Sequence, residues 1–136
     1  MINSQVSITL NSSKSSVSQI EPILEQLKTQ LQIDDNKYYN ILIAITEAVN
    51  NAVIHGNKND PNKKVEFKIN FFEGNLEFFI QDEGKGFDPE NIADPRDENN
   101  LRKEGGRGVF LIKSLSNNAL YEKNSRGMLL NLKFKL

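Results

Sequence analysis

The sequence predicts an α+β fold, a two-layer sandwich with helices on one face of a mixed, mostly antiparallel sheet. Three observations carry this. Short segments alternate apolar with polar residues, two longer segments repeat apolar residues at helical spacing, and hairpin turn chemistry joins neighbouring strands without strict βαβ alternation. A chain of 136 residues is long enough to bury one real core and too short for two ordinary ones, so a single domain over 1–136 is expected.

Val6, Ile8 and Leu10 alternate with polar neighbours and read as a first strand, which the polar Asn11 to Ser16 cluster ends. From about Ser16, Val17, Ile20, Leu24, Leu27 and Leu31 recur at helical spacing. Pro22 lacks an N–H, so it must sit near the start of that helix or kink it. Asp34 is a candidate cap for a second helix, in which Tyr38, Ile41, Leu42, Ile45, Val49, Ala52 and Val53 continue the pattern to Gly56. Val65 to Phe72 and Leu76 to Gln81 are rich in β-branched and aromatic residues and flank a Glu-Gly-Asn turn, which predicts a hairpin. The stretch from about Asp82 to Arg107 is polar and holds Pro89, Pro95 and four glycines without a sustained apolar period; a loop of that length in a compact domain reads as a functional lid or a disordered segment. A short helix over Val109 to Leu115 and a last hairpin of Ala119–Lys123 and Met128–Phe134 complete the chain.

Composition excludes several functions. Lys+Arg 17 against Asp+Glu 18 gives a net charge of -1, too weak a field to steer the molecule to nucleic acid or an anionic membrane, and the basic residues near the C-terminus occur mainly singly. The absence of Cys removes disulfides, thiolate metal sites and cysteine nucleophiles, and the lone His55 argues against a His-based metal site. The first residues lack the basic start and apolar run of a signal peptide, and no apolar run is long enough to span a bilayer, so a cytoplasmic location is expected.

Three constellations carry chemistry. On the second helix, at about 100° per residue, Glu47 and Asn51 stack at i and i+4 on the face away from the apolar arc, with His55 a further turn along. After the predicted hairpin comes Asp82-Glu83-Gly84-Lys85-Gly86, where glycines permit positive φ and close backbone approach, and Asp82 can accept a hydrogen bond from the exocyclic amine of a base. Gly105-Gly106-Arg107-Gly108 stands directly before a helix, where free N–H groups and the helix dipole favour phosphate. Taken singly, each has a plain alternative: a solvated helix face, a tight turn, a glycine-rich helix entry. Their order and spacing together point to a nucleotide site.

The segments EAVNNAVIHG, DEGKGFDPE and GGRGVFLIKSL resemble the Asn box and two glycine boxes of the histidine-kinase-like ATPase superfamily. Within it, the chain is similar to the anti-sigma-factor serine/threonine protein kinases of partner-switching systems. The resemblance implies a Bergerat-type ATP-binding fold with an ATP lid around 87–105. It implies Asn51 as the ligand of Mg²⁺, Glu47 as general base, Asp82 as reader of the adenine amine, Gly84 and Gly86 as the turn beside the base, and Gly106 and Gly108 as the phosphate turn. Lys85, Lys103 and Arg107 are possible phosphate contacts. It further implies MgATP-dependent phosphorylation of an anti-sigma-factor antagonist, a sigma factor as second partner, and a homodimer. Glu47 suits a serine acceptor, whose hydroxyl must lose a proton, whereas an imidazole acceptor needs no such base. His55 lies in the nucleotide-binding helix itself, so a structural or capping role is expected of it. Where many relatives carry Gly-Thr after the last turn, Gly127 is followed here by Met128, which puts the network behind Asp82 in question. A non-catalytic module that sequesters a sigma factor or other regulator in an ATP- or ADP-dependent way remains the alternative, as does an ATPase unit of a larger sensor or phosphatase assembly.

Overall fold

The computed structural model describes residues 4–13, 15–84 and 106–136. In chain order the elements are β1 (Ser4–Asn11), α1 (Ser16–Leu31), α2 (Asp35–Asn50), a π-helical turn (Asn51–Gly56), β2 (Lys64–Phe72), β3 (Asn75–Gln81), α3 (Gly106–Leu115), β4 (Asn118–Lys123) and β5 (Met128–Lys135). The five strands form one sheet in the order β1-β2-β3-β5-β4. Every pairing is antiparallel, so the parallel pair that a mixed sheet would contain is not found among the described strands. α1 and α2 pack together, α3 lies against α2, and the buried faces of helices and sheet meet in one cluster.

Local chemistry explains the elements. Period-2 burial puts Leu76, Phe78 and Ile80 of β3 inward, with Leu130, Leu132 and Phe134 of β5 beside them. Phe78 is fully buried at the centre, edge-on to Phe134 and tilted against Phe67. The β2–β3 turn is two residues long, and both Glu73 (φ 50°) and Gly74 (φ 76°) are left-handed, the twist that matches a tight hairpin. At the start of α2 the Asp34 carboxylate accepts the Lys37 N–H at 2.8 Å, as the sequence predicts for a cap. α1 runs unbroken through Pro22, which sits in its second turn on the exposed side, so the carbonyl left without an N–H donor is one that water can reach. Among the described residues no helix is long and apolar enough to cross a membrane.

The pairing of β3 with β5 positions the candidate site. Because β5 returns antiparallel beside β3, with Gln81 opposite Leu129, the end of β3 meets the start of β5. Asp82 and Met128 are thereby brought side by side although 46 residues apart in sequence.

Truncating Phe78 to Ala is expected to cost about 3–5 kcal/mol in urea unfolding, and removing the α2 cap with Asp34→Ala about 1 kcal/mol. Equal losses from the two variants would contradict the location of the core.

Candidate nucleotide site

The second helix ends in a widened turn. From Asn51 the backbone closes i→i−5 bonds, with the Asn57 N–H on the Ala52 carbonyl at 2.8 Å, and the chain leaves through Lys58 and Asn59, both left-handed. No sequence signal marks this turn: the apolar period continues through Ala52 and Val53, which are indeed buried, and the extra residue per turn displaces only the residues after them. The displacement turns Gly56 toward the end of β3. A Cβ on Gly56 would lie 2.1 Å from Asp82 Oδ2, and one on Gly84 would lie 1.8 Å from the Gly56 carbonyl oxygen. Gly84 is therefore required by the contact itself, and its φ is not in the positive region that a glycine turn there suggests.

Asp82 is only 4% exposed. Its Oδ1 accepts the backbone N–H groups of Gly84 and Met128, each at 3.0 Å, while Oδ2 has no hydrogen-bond partner among the described residues. Burial pushes the carboxyl above the ordinary aspartate range; the two N–H donors, and Lys63 at longer range, oppose that push without cancelling it. Behind it, Gln81 and Asn124 exchange amide hydrogen bonds at 2.6 and 3.2 Å, and Asn124 Oδ1 also takes the N–H groups of Arg126 and Gly127. Met128 thus supports Asp82 through its backbone N–H, and its side chain, 3% exposed, lines an apolar slot with Ala48, Ala52, Ile80 and Leu130. Asp82, Tyr121 and Asn51 complete the lining, and burial raises the Tyr121 phenol far above its usual range.

At the other end, Glu47 and Asn51 converge on α3. The helix begins at Gly106, earlier than the expected Val109, so Gly106 and Gly108 belong to its first turn, where N–H groups lack helical partners. A Cβ on Gly108 would lie 2.8 Å from Asn51 Nδ2 and 3.0 Å from Glu47 Oε2, so only glycine lets α3 approach α2 this closely. This packing corrects the expectation that the two side chains face away from the protein: Glu47 is half-buried and Asn51 buried, because α3 covers that face of α2. The Asn51 Nδ2 is buried with no hydrogen-bond partner, an orphan that calls for a ligand. Among the described residues no group of three or more His, Asp or Glu could hold a metal ion. The orphaned Nδ2 is a donor and suits an acceptor such as a phosphate oxygen, whereas the amide Oδ1 is the atom that could ligate a hard divalent cation such as Mg²⁺, whose other ligands would be phosphate oxygens and water.

Of the predicted site residues, Glu47, Asn51 and Gly108 meet at one end of this cleft and Asp82 and Gly84 at the other. Gly106 is placed in the helix backbone, as is Arg107, whose side chain lies outside the described residues. Lys85, Gly86, Lys103 and the lid at 87–105 also lie outside them. His55, for which a structural or capping role is expected, stands half-buried as the basic residue in the last turn of the π-helical segment. Sequence reasoning missed Asn57, fully buried beside the glycine contact, and the Gln81–Asn124 pair. A buried Asn after a helical glycine reads like any loop asparagine, and only the position of Asn57 next to a candidate site could have drawn notice.

A model of the histidine kinase-like ATPase domain matches residues 10–134. The serine-protein kinase RsbW of Bacillus subtilis is 32% identical over 92 residues, 63% of this chain and 58% of that protein. The anti-sigma F factor of Shouchella clausii is 36% identical over 70 residues, 52% of this chain and 40% of its own. The chain thus matches about half the length of these relatives. In fold it is similar to the crystal structure of the RsbU and RsbW domains of a Mycobacterium tuberculosis protein, with a TM-score of 0.72 covering 98% of this chain and 32% of that one at 20% identity. With the family model spanning both ends of the cleft, the chain belongs to the histidine kinase-like ATPase domain family.

Proposed function

We propose that this protein is a serine/threonine protein kinase that uses MgATP to phosphorylate a small antagonist protein in a sigma-factor partner switch. The observation that carries the reading is the convergence of the Glu47 carboxylate and the orphaned Asn51 amide on the first turn of α3. The names of the relatives, a serine-protein kinase and an anti-sigma factor, support the choice of acceptor and of second partner.

In this reading the base enters the apolar slot and its exocyclic amine donates to Asp82, while the first-turn N–H groups of α3 hold phosphate oxygens. Asn51 would hold Mg²⁺, which neutralises phosphate charge when bound. The acceptor hydroxyl attacks the γ-phosphorus, the bond to the bridging oxygen breaks, and the hydroxyl proton passes to the Glu47 carboxylate. Half-buried, Glu47 is still reachable from outside, as a base serving a protein substrate must be.

Calorimetric titration of ATP with and without Mg²⁺ tests the binding half. Mg²⁺-dependent binding that fails in both Asn51→Ala and Asp82→Ala is expected, and no binding at millimolar ATP in the unmutated protein would sink the reading. Glu47→Gln should bind ATP normally and lose transfer to the acceptor by about 10²-fold or more. Undiminished phosphorylation by that variant would remove Glu47 from the mechanism.

Acidification gives an independent test. With its folded pKa raised, the Asp82 contribution to stability is fully present below the ordinary value of 3.8 and is lost as pH rises through the folded pKa. Adenine needs the ionised form, so the two dependences have opposite sign. ATP affinity should fall as pH drops toward the raised Asp82 pKa, beginning above the normal aspartate range, and Asp82→Asn should lack that component. Superimposable profiles for the two proteins would rule out an ionised Asp82 as the reader.

A further inference from the structure

Asn57 is fully buried, polar and unused by the phosphoryl-transfer mechanism. Its side chain makes three hydrogen bonds to three different segments. Nδ2 donates to Ser12 Oγ at 2.8 Å and to the Lys64 carbonyl at 2.9 Å, and Oδ1 accepts the Glu83 N–H at 2.7 Å. Ser12 Oγ in turn donates to the Lys63 carbonyl at 2.7 Å, which leaves it an acceptor toward Asn57 and agrees with this orientation of the amide. The Lys64 N–H donates to Glu83 Oε2 at 2.5 Å, closing a ring through Asn57, Lys64 and Glu83. Asn57 is also held through its own backbone, which ends the π-helical turn.

The ring has one outlet to the ligand site. Asp82, Glu83 and Gly84 are consecutive: Asn57 holds the Glu83 N–H, and the next N–H, that of Gly84, holds Asp82 Oδ1. Gly56, the residue before Asn57, abuts both Asp82 and Gly84. The distance between the π-helical turn and the corner after β3 is therefore set by the Asn57 amide, and with it the direction of Asp82 Oδ2. We infer that Asn57 is a positioning residue that fixes the Asp82 carboxylate for recognition of an exocyclic amine, and so sets the selectivity for 6-amino over 6-oxo purines. This rests on the reading of Asp82 as the base contact.

An alanine at 57 strands the part-buried Glu83 N–H and two further groups, and frees the corner to move. The measurement is the affinity for ATP and for ITP, whose base carries a carbonyl where adenine has its amine, together with thermal unfolding. The unmutated protein should prefer ATP by about tenfold or more, since a carbonyl set against a carboxylate leaves both without a donor. Asn57→Ala should lose most of that preference by weakening ATP while ITP changes little. Ile41→Ala, a core variant remote from the corner, should lower the melting temperature and leave the ratio intact. Ser12→Ala removes one partner of Asn57 at smaller cost to folding, so it should move the ratio in the same direction even if Asn57→Ala does not fold. A full preference retained in Asn57→Ala, or in Ser12→Ala where only that variant folds, would overturn the proposal and leave Asn57 a purely structural residue. Binding of ATP and ITP with equal affinity by the unmutated protein would overturn it together with the base contact at Asp82, and ATP binding that still required Asn51 would then preserve the phosphate end of the proposed function.

Discussion

The structure is organised around a carboxylate taken out of water. An ionised aspartate in an apolar surround is costly unless donors reach it, and Asp82 receives two backbone N–H groups on a single oxygen. One donor comes from two residues along the chain and the other from β5, so the arrangement exists only when β3 and β5 are paired in register. The second oxygen lies against Gly56. Concentrating both protein donors on Oδ1 keeps the group partly compensated and leaves Oδ2 with unused acceptor capacity among the described residues.

The same helix serves both ends of the cleft, and the π-helical turn is how it does so. Glu47 and Asn51 lie at i and i+4 on one face of α2 and reach α3. Had the helix continued with α geometry, His55 would stack above Asn51 and the residue facing Asp82 would change. Widening the turn at Asn51 brings the backbone of Gly56 to the corner instead, where a hydrogen atom is all that fits. The two glycine contacts, Gly56–Gly84 at the Asp82 end and Gly108 over Asn51 at the Glu47 end, are thus both places where main chain must come close to main chain or to a side chain, and neither depends on left-handed torsions.

Much of this was legible in the residues. Strand alternation, the Asp34 cap and the Glu73–Gly74 turn are local signals, and each element formed where those signals lie. Glu47, Asn51, Asp82 and Gly108 could be singled out because residue type and order carry the chemistry. What the sequence could not carry was depth. Helical periodicity assigns Asn51 to the face opposite the core, but whether that face is solvated depends on α3, which begins far along the chain at Gly106 and meets it through glycine. The π-helical turn escaped for a related reason: Ala52 and Val53 satisfy α and π geometry alike, and the choice is made by Asn57 and Gly56 contacting strands distant in sequence. Asn57 itself has no sequence signature, since its three partners, Ser12, Lys64 and Glu83, assemble only in the folded sheet.

Met128 supports Asp82 with its main chain, so its side chain is not needed for that contact. A hydroxyl at 128 would have offered Asp82 a side-chain donor; here the main-chain N–H does so, and it is present whatever the residue. For this to work the start of β5 must be held in place from behind, and Asn124 does that by binding the N–H groups of Arg126 and Gly127 while pairing with Gln81 at the end of β3. Gln81 also reaches the carbonyls of Asp82 and Met128, at 2.7 and 3.3 Å. An amide pair outside the slot therefore secures the donor inside it, and the side chain at 128 is released to be apolar and to wall the slot. The corner at Asp82 is consequently held from two sides by carboxamides, Asn57 toward β2 and Gln81–Asn124 toward β4. Neutral groups that both donate and accept can fix a buried carboxylate without adding a countercharge that would compete with the ligand for its free oxygen.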